Sequence, residues 1–201
     1  MQLFKISSSY INEVLTLERE KYLVDRAKAS TKAFGELYDM YYHQIYGYAL
    51  RRTADVELSQ DITSAVFYRA LRNIRKYHWQ GISISHWLFR IANHEIADCY
   101  KEKQRWFSFS RNTPGEQEKE HRYAEETLAA QQEVNRKEDY LDLHNCIKKL
   151  GLRYQEVITL KFFEDKDIRE ISLILDKPEG TVKSLLHRGV EQMRKLLELQ
   201  E

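Results

Sequence analysis

Apolar residues along this chain return with helical spacing, and few residues interrupt them. In LSQDITSAVFYRAL, Leu58, Ile62, Val66 and Ala70 recur every four positions. In SHWLFRIANHEIADCYK, Leu88, Ile91, Ala92, Ile96 and Cys99 form a second stripe. A period of three to four puts such side chains on one helix face and leaves the other wet. Ser85, just ahead of the second stripe, is the expected N-cap. Four shorter periodic segments follow at residues 140–150, 153–163, 167–175 and 181–199. The predicted fold is all-α: two small helical domains joined by a flexible linker, the C-terminal one a helix-turn-helix.

Because breakers are rare, their places matter. Gly81, the Pro114-Gly115 pair, Gly151, Pro178 and Gly180 fall between periodic segments, while Gly35, Gly47 and Gly189 lie inside them. Residues 105–139 hold the Pro-Gly pair, many Glu and Gln and only scattered apolar residues, so a linker is expected there, with transient helix in YAEETLAAQQEV. Ahead of everything, SYINEVLTLEREK reads as a short extra helix.

Composition narrows the class. Glycine and proline make only 9 of 201 residues, against roughly 12% in ordinary globular chains. That shortage disfavours sandwiches and barrels, and 42% hydrophobic residues disfavour disorder. Cys99 and Cys146 lie far apart without a metal or redox spacing, which suits a reduced intracellular protein. The N-terminal segment has no basic start leading into an apolar core, and no apolar run approaches the ~18–20 residues that span a bilayer, so the expected location is the cytoplasm.

The net charge of +1 at first sight argues against a nucleic-acid partner, but it hides a partition. Residues 1–68 sum to −1, 69–111 to +6, 112–139 to −4 and 140–201 to zero. The basic segment also carries Tyr77, Trp79, Trp87, Phe89, Tyr100, Trp106, Phe107 and Phe109. Cations compensate phosphates, and flat rings stack on unpaired bases at about 1–3 kcal/mol each. The segment as a whole therefore suits melted nucleic acid, although any one of these rings taken alone is better read as core.

In DIREISLILDKPEGTVKSLLHRGVEQMRKLLE a short helix, a turn and a longer helix follow one another. Ile168, Ile171 and Leu175 face inward on the first, and Val182, Leu185, Leu186, Met193 and Leu197 on the second. Asp176 tolerates a left-handed turn, and Pro178 suits a helix start. Lys183, His187 and Arg194, with Ser184 and Arg188 beside them, occupy the wet stripe, as in a helix that reads the major groove. A plain helical hairpin with a solvated face fits the same pattern.

Two segments together resemble a known family. AFGELYDMYYHQIYGYALRRTADVELSQDITSAVFYRALRNI with SHWLFRIANHEIADCYKEKQR resembles the polymerase-binding and promoter-melting domain of bacterial sigma factors. LRYQEVITLKFFEDKDIREISLILDKPEGTVKSLLHRGVEQMRK resembles their C-terminal helix-turn-helix domain. The pairing is that of the extracytoplasmic-function (ECF) type. The resemblance implies an N-terminal extension at 1–22, a region 2-like domain at 23–104, an acidic linker at 105–139 and a region 4-like domain at 140–201.

It further implies that Asp61, Ile62 and Phe67 belong to the helix docking on RNA polymerase core, through its β and β′ subunits. Tyr77 and Trp79 are expected in the loop that captures a flipped base of the minus-ten element, with Trp87, Arg90, Asn93 and His94 beside the melted strand. Lys183, Ser184, His187 and Arg188 are expected to read the minus-thirty-five element, and Thr181, through its amide and hydroxyl, to take a phosphate. Promoter DNA and an anti-sigma factor are the other implied partners, with no cofactor, metal or catalytic residue. Ser64 and Ala65 replace the family's usual Gln and Glu, and Leu185 replaces a common Arg, which removes one expected DNA contact.

Two other functions compete with this reading. A conventional helix-turn-helix regulator, with residues 1–104 as a sensing or dimerisation domain, has no use for the WLFRIAN run or the basic aromatic loop. An enzyme would need a motif such as HExxH or a P-loop, and neither occurs. His78, His86 and His94 recur every eight residues, but that spacing turns a helix about 80° past whole turns, and Gly81 breaks the first interval.

Overall fold

The computed structural model describes the backbone of residues 8–110 and 146–198, with side chains for 15–103 and 146–198. Every regular element among the described residues is helical. The expected transient helix at 123–134 lies outside them.

Four long helices form the N-terminal unit: α1 (Ser8–Ala29), α2 (Thr31–Thr53), α3 (Val56–Asn73) and α4 (Ser85–Ser110), with a 3-10 turn at Ile74–Lys76. The short helix expected near residue 9 is the first part of α1. Caps separate the helices. Ser30 accepts from the Ala33 amide at 3.4 Å to start α2, and Ala54 ends it in the left-handed conformation (φ 49). Asp55 then starts α3 by accepting from the Leu58 amide at 3.0 Å.

The core behind them is the predicted stripes. Ile62, Val66 and Ala70 of α3 and Leu88, Ala92 and Ile96 of α4 are buried, together with Phe34, Leu37, Ile45 and Tyr48 of α2 and Leu23, Val24 and Ala27 of α1. One expectation at α4 is corrected. Ser85 is already helical, and the cap is Ser83, whose hydroxyl oxygen accepts from the Ser85 amide at 3.2 Å while its carbonyl accepts from the His86 amide at 3.2 Å. A second correction concerns length: α4 continues through Ser110, so residues 105–110 are helical where linker was expected.

The C-terminal unit has a helical turn at 146–149, then α5 (Leu152–Phe162), α6 (Ile168–Leu175) and α7 (Glu179–Glu198). A capping box fixes the start of α6: Asp167 accepts from the Glu170 amide at 2.7 Å, and Glu170 accepts from the Asp167 amide at 2.8 Å. Asp176 ends α6 at φ 53, the left-handed turn expected of it. Gly189 lets α7 approach α5 closely, since a Cβ there would stand 3.1 Å from Ile158 Cγ1. The inward stripe of α7 differs at its end: Leu197 is exposed and Leu196 packs against the core in its place. On α6, Ile171 and Ile174 are the fully buried pair, with Ile168 and Leu175 partly buried.

The two units touch through α4 with α6 and α2 with α5. Glu164, just after α5, accepts from Gln44 at 3.1 Å and pairs with Arg51, both on α2. No helix among the described residues is long and apolar enough to cross a membrane.

Candidate nucleic-acid interface

The end of α3, the 3-10 turn, the loop at 77–84 and α4 enclose a cleft of about 470 Å³. Positions 86, 87, 90, 91 and 94 share one helix face, so α4 supplies His86, Trp87, Arg90, Ile91 and His94. Arg69, Asn73 and Lys76 come from the opposite side, Tyr77, His78, Gln80, Ile82 and Ser83 from the loop, and Leu173 from α6. The loop turns at Gly81 (φ 75), a backbone state that strains a residue with a Cβ.

Within the cleft, the rings of Tyr77 and Trp87 lie 4.8 Å apart at 37°. Burial, reinforced by the Glu20 carboxylate, pushes the Tyr77 phenol up to about 12, so its hydroxyl stays a neutral hydrogen-bonding group. His86 donates from Nδ1 to the Ser83 carbonyl at 2.9 Å, which leaves Nε2 3.0 Å from Glu170 Oε1. Arg69 pairs with Glu95, whose carboxyl is pushed up by burial against the opposing pull of that guanidinium. Arg90 donates to the carbonyls of Leu173 and Ile174, the latter at 3.3 Å from its Nε. Carbonyls of a helix's last turn lack partners within the helix, so the end of α6 is a natural acceptor for a guanidinium.

Of the expected minus-ten residues, Tyr77, Trp87, Arg90 and His94 meet in this cleft. Trp79 does not line it and packs against the core. Asn93 does not line it either. It is 8% exposed, accepts from the Tyr48 hydroxyl at 2.7 Å and from Arg52, and donates to the Phe89 carbonyl at 3.0 Å. Arg52 is itself only 1% exposed, and a buried guanidinium needs acceptors, one of which Asn93 supplies.

His78, His86 and His94, which their eight-residue spacing does not place on one helix face, all line the cleft. No cluster of His, Cys, Asp or Glu fit to hold a metal occurs among the described residues. Arg69 and Lys76 were not singled out from the sequence, yet both fall within the stretch whose charge of +6 had marked it.

On α3 the expected docking residues divide. Asp61 is exposed, but Ile62 (1%) and Phe67 (3%) are buried and hold α3 to the bundle. The outer face next to Asp61 instead shows Ser64, Tyr68 and Leu71, and Tyr38 packs on Phe67 at 4.6 Å.

On α7, Thr181, Lys183, Ser184, His187 and Arg188 are all exposed. The Thr181 amide donates to the Pro178 carbonyl at 2.9 Å, so only its side chain is open to a phosphate. Leu185 is 8% exposed, so this departure from the family pattern fills the core and takes nothing from the outer face.

A fold that is all-helical among the described residues, with a basic aromatic cleft on one unit and a helix-turn-helix on the other, defines a protein built to handle DNA. Sigma-70 region 2 matches residues 37–107, and Sigma-70 region 4 matches residues 140–193. The ECF RNA polymerase sigma factor SigW of Bacillus subtilis is 31% identical over 85% of this chain and 91% of its own length. BldN of Streptomyces coelicolor, another ECF sigma factor, is 31% identical over 87% of this chain, which spans 64% of that protein. The solved structure of CnrH with the cytosolic domain of CnrY superposes with a TM-score of 0.65 at 16% identity, covering 90% of this chain and 99% of that one. The sigma factor RpoE of Bartonella quintana, solved with the anti-sigma factor NepR, gives 0.66 at 18% identity over 85% and 99%. This chain belongs to the ECF sigma factors of the sigma-70 family. The region 2 match occupies the part that a conventional regulator would give to sensing, and that alternative is not favoured.

Proposed function

We propose that this sigma factor acts in the cytoplasm by joining RNA polymerase core and bringing it to promoters with its two DNA-facing surfaces. The α7 face with Lys183, Ser184, His187 and Arg188 reads duplex in the major groove, with the Thr181 side chain on a phosphate. The cleft takes the melted strand, with Tyr77 and Trp87 stacking on an unpaired base and Arg69, Lys76 and Arg90 compensating phosphates. Arg90 reaches a strand once α6 withdraws from it. Asp61 and the outer face of α3 dock on the polymerase.

The physical logic is tethering. Polymerase holds both modules at one spacing, so two weak contacts act as one strong contact only where both elements are present. Opening costs a few kcal/mol of unstacking per step, which base capture and phosphate contacts offset. RpoE was solved with the anti-sigma factor NepR, and this chain is proposed to have an anti-sigma partner of its own. No step involves bond chemistry, so this reading assigns no catalysis.

The observation that carries this reading is the cleft, where the paired rings of Tyr77 and Trp87 sit among cations. Core polymerase with this chain is expected to open promoter DNA taken from upstream of transcripts induced by its overexpression. The chain alone is expected to bind that DNA weakly. Tyr77→Ala or Trp87→Ala is expected to lower opening, read by permanganate reactivity, by about tenfold, the worth of one lost stack. Initial duplex binding should stay near wild type, and equal loss of both would exclude the cleft as the capture site.

A further inference from the structure

The extension ahead of residue 23 has no part in the readings above, yet α1 reaches the base of the cleft through one side chain. Glu20 is 5% exposed. Its Oε1 accepts from the Ile84 amide at 2.5 Å and from the Ser83 hydroxyl at 3.0 Å. These two donors close the loop and open α4. The Tyr41 hydroxyl of α2 stands 3.3 Å from the same Ser83 oxygen. Ser83 in turn caps α4 and holds the His86 imidazole through its carbonyl.

A buried carboxylate is costly unless donors meet it. Here it is met at the first turn of a helix, where open amides and the helix dipole favour a negative group. One carboxylate thus ties α1, the loop and the start of α4 together. Trp87 lies one turn beyond Ser83, and its ring rests on Tyr77 at the other end of the loop.

We propose that Glu20 is a positioning residue for strand capture, holding Ser83 and Ile84 so that the Tyr77–Trp87 ring pair stands in its receptive geometry. The proposal rests on the reading of the cleft as the capture site. Without Glu20, the Ser83 cap loosens, the first turn of α4 frays, and Trp87 leaves Tyr77. The packing of α1 itself is carried by Leu23, Val24 and Ala27, one to two turns further on.

The test uses full-length chains assembled with core polymerase on promoter DNA mapped as above. Glu20→Ala is expected to slow opening by about tenfold, the effect of losing a charge-assisted hydrogen bond, with initial duplex binding within about twofold of wild type. Glu20→Gln keeps an acceptor at the same reach and is expected to recover opening to within about threefold. In the free chain, the Ile84 amide should exchange its hydrogen faster in Glu20→Ala, while amides within α2 and α3 keep wild-type rates. Should Glu20→Ala fail to fold, Ser83→Ala removes the donor instead and carries the same expectations for opening. Tyr77→Ala serves as the reference. If it opens promoters as wild type does, the capture reading fails and this proposal falls with it. If it is defective while Glu20→Ala opens and exchanges like wild type, or if Glu20→Gln is as impaired as Glu20→Ala, the role of Glu20 alone is overturned.

Discussion

The α7 face and the α4 cleft are built in opposite ways. On α7, Lys183, Ser184, His187 and Arg188 stand in a row on one helix, all exposed, above a core of Val182 and Leu185. The cleft has no single owner: α3, a loop and α4 make its walls, α6 of the other unit adds Leu173, and Arg90 is held by α6 carbonyls. One surface is ready as it stands, and the other is shared with the neighbouring unit. A surface carried by one helix depends only on that helix staying packed, whereas an assembled cleft depends on every element that meets there.

The difference can be broken first at Asn93. Asn93→Ala deprives the buried Arg52 guanidinium of an acceptor and is expected to cost about 1.5–3 kcal/mol, the range for hydrogen bonds to charged groups. Denaturant unfolding measures it. If stability stays at the wild-type level while opening is lost, Asn93 touches the strand after all and the burial argument fails. On the other unit, Gly189→Val pushes methyl groups toward Ile158 across a gap already at 3.1 Å from the Cβ position. Overpacking of this kind costs about 1–3 kcal/mol. Thermal unfolding should fall accordingly, and unchanged unfolding would show that α5 and α7 do not approach this closely.

A smaller effect is expected from the exposed row. Lys183→Ala should weaken duplex binding about evenly across sequences if the ammonium meets a phosphate, lowering the salt dependence by about one ion. Stability should not move, because the side chain is exposed. A loss confined to one base-pair position would assign Lys183 to a base edge instead.

The same contrast explains what the sequence could show. Along α7 a single period sorts inward from outward residues, so the exposed row at 183–188 was legible, with Leu197 misplaced by one position in the last turn. On α3 the family's motif marks a helix, not a face, and so Ile62 and Phe67 travelled with Asp61 although they point into the bundle. In the cleft, chain proximity stood in for spatial proximity. Trp79 and Asn93 sit among true lining residues in sequence yet turn toward the core, while Arg69 and Lys76 join from across the loop. The segment charge of +6 located the region without resolving its sides. Glu20 was beyond reach, because nothing in a local pattern announces a carboxylate whose donors lie more than sixty residues away.

The finest test lies at the other contact between the two units, where α2 meets the end of α5. Glu164 accepts from Gln44 and Arg51 on α2, and these partners pull its pKa down, but burial is the larger influence and raises it. The folded protein therefore keeps a proton on Glu164 to a higher pH than the unfolded chain, where a glutamate titrates near ~4.3. A raised carboxyl contributes stability that is complete below that ordinary value and is lost as pH climbs through the raised one. Glu164→Gln abolishes this titration while other groups cancel between the two proteins. The stability of wild type relative to the variant should then fall as pH rises from the ordinary carboxylate range, by no more than about 1.4 kcal/mol per pH unit, and level off above the raised pKa. A difference that stays flat or rises would mean that Arg51 outweighs burial, and that the contact between α2 and the end of α5 is held by a charged pair.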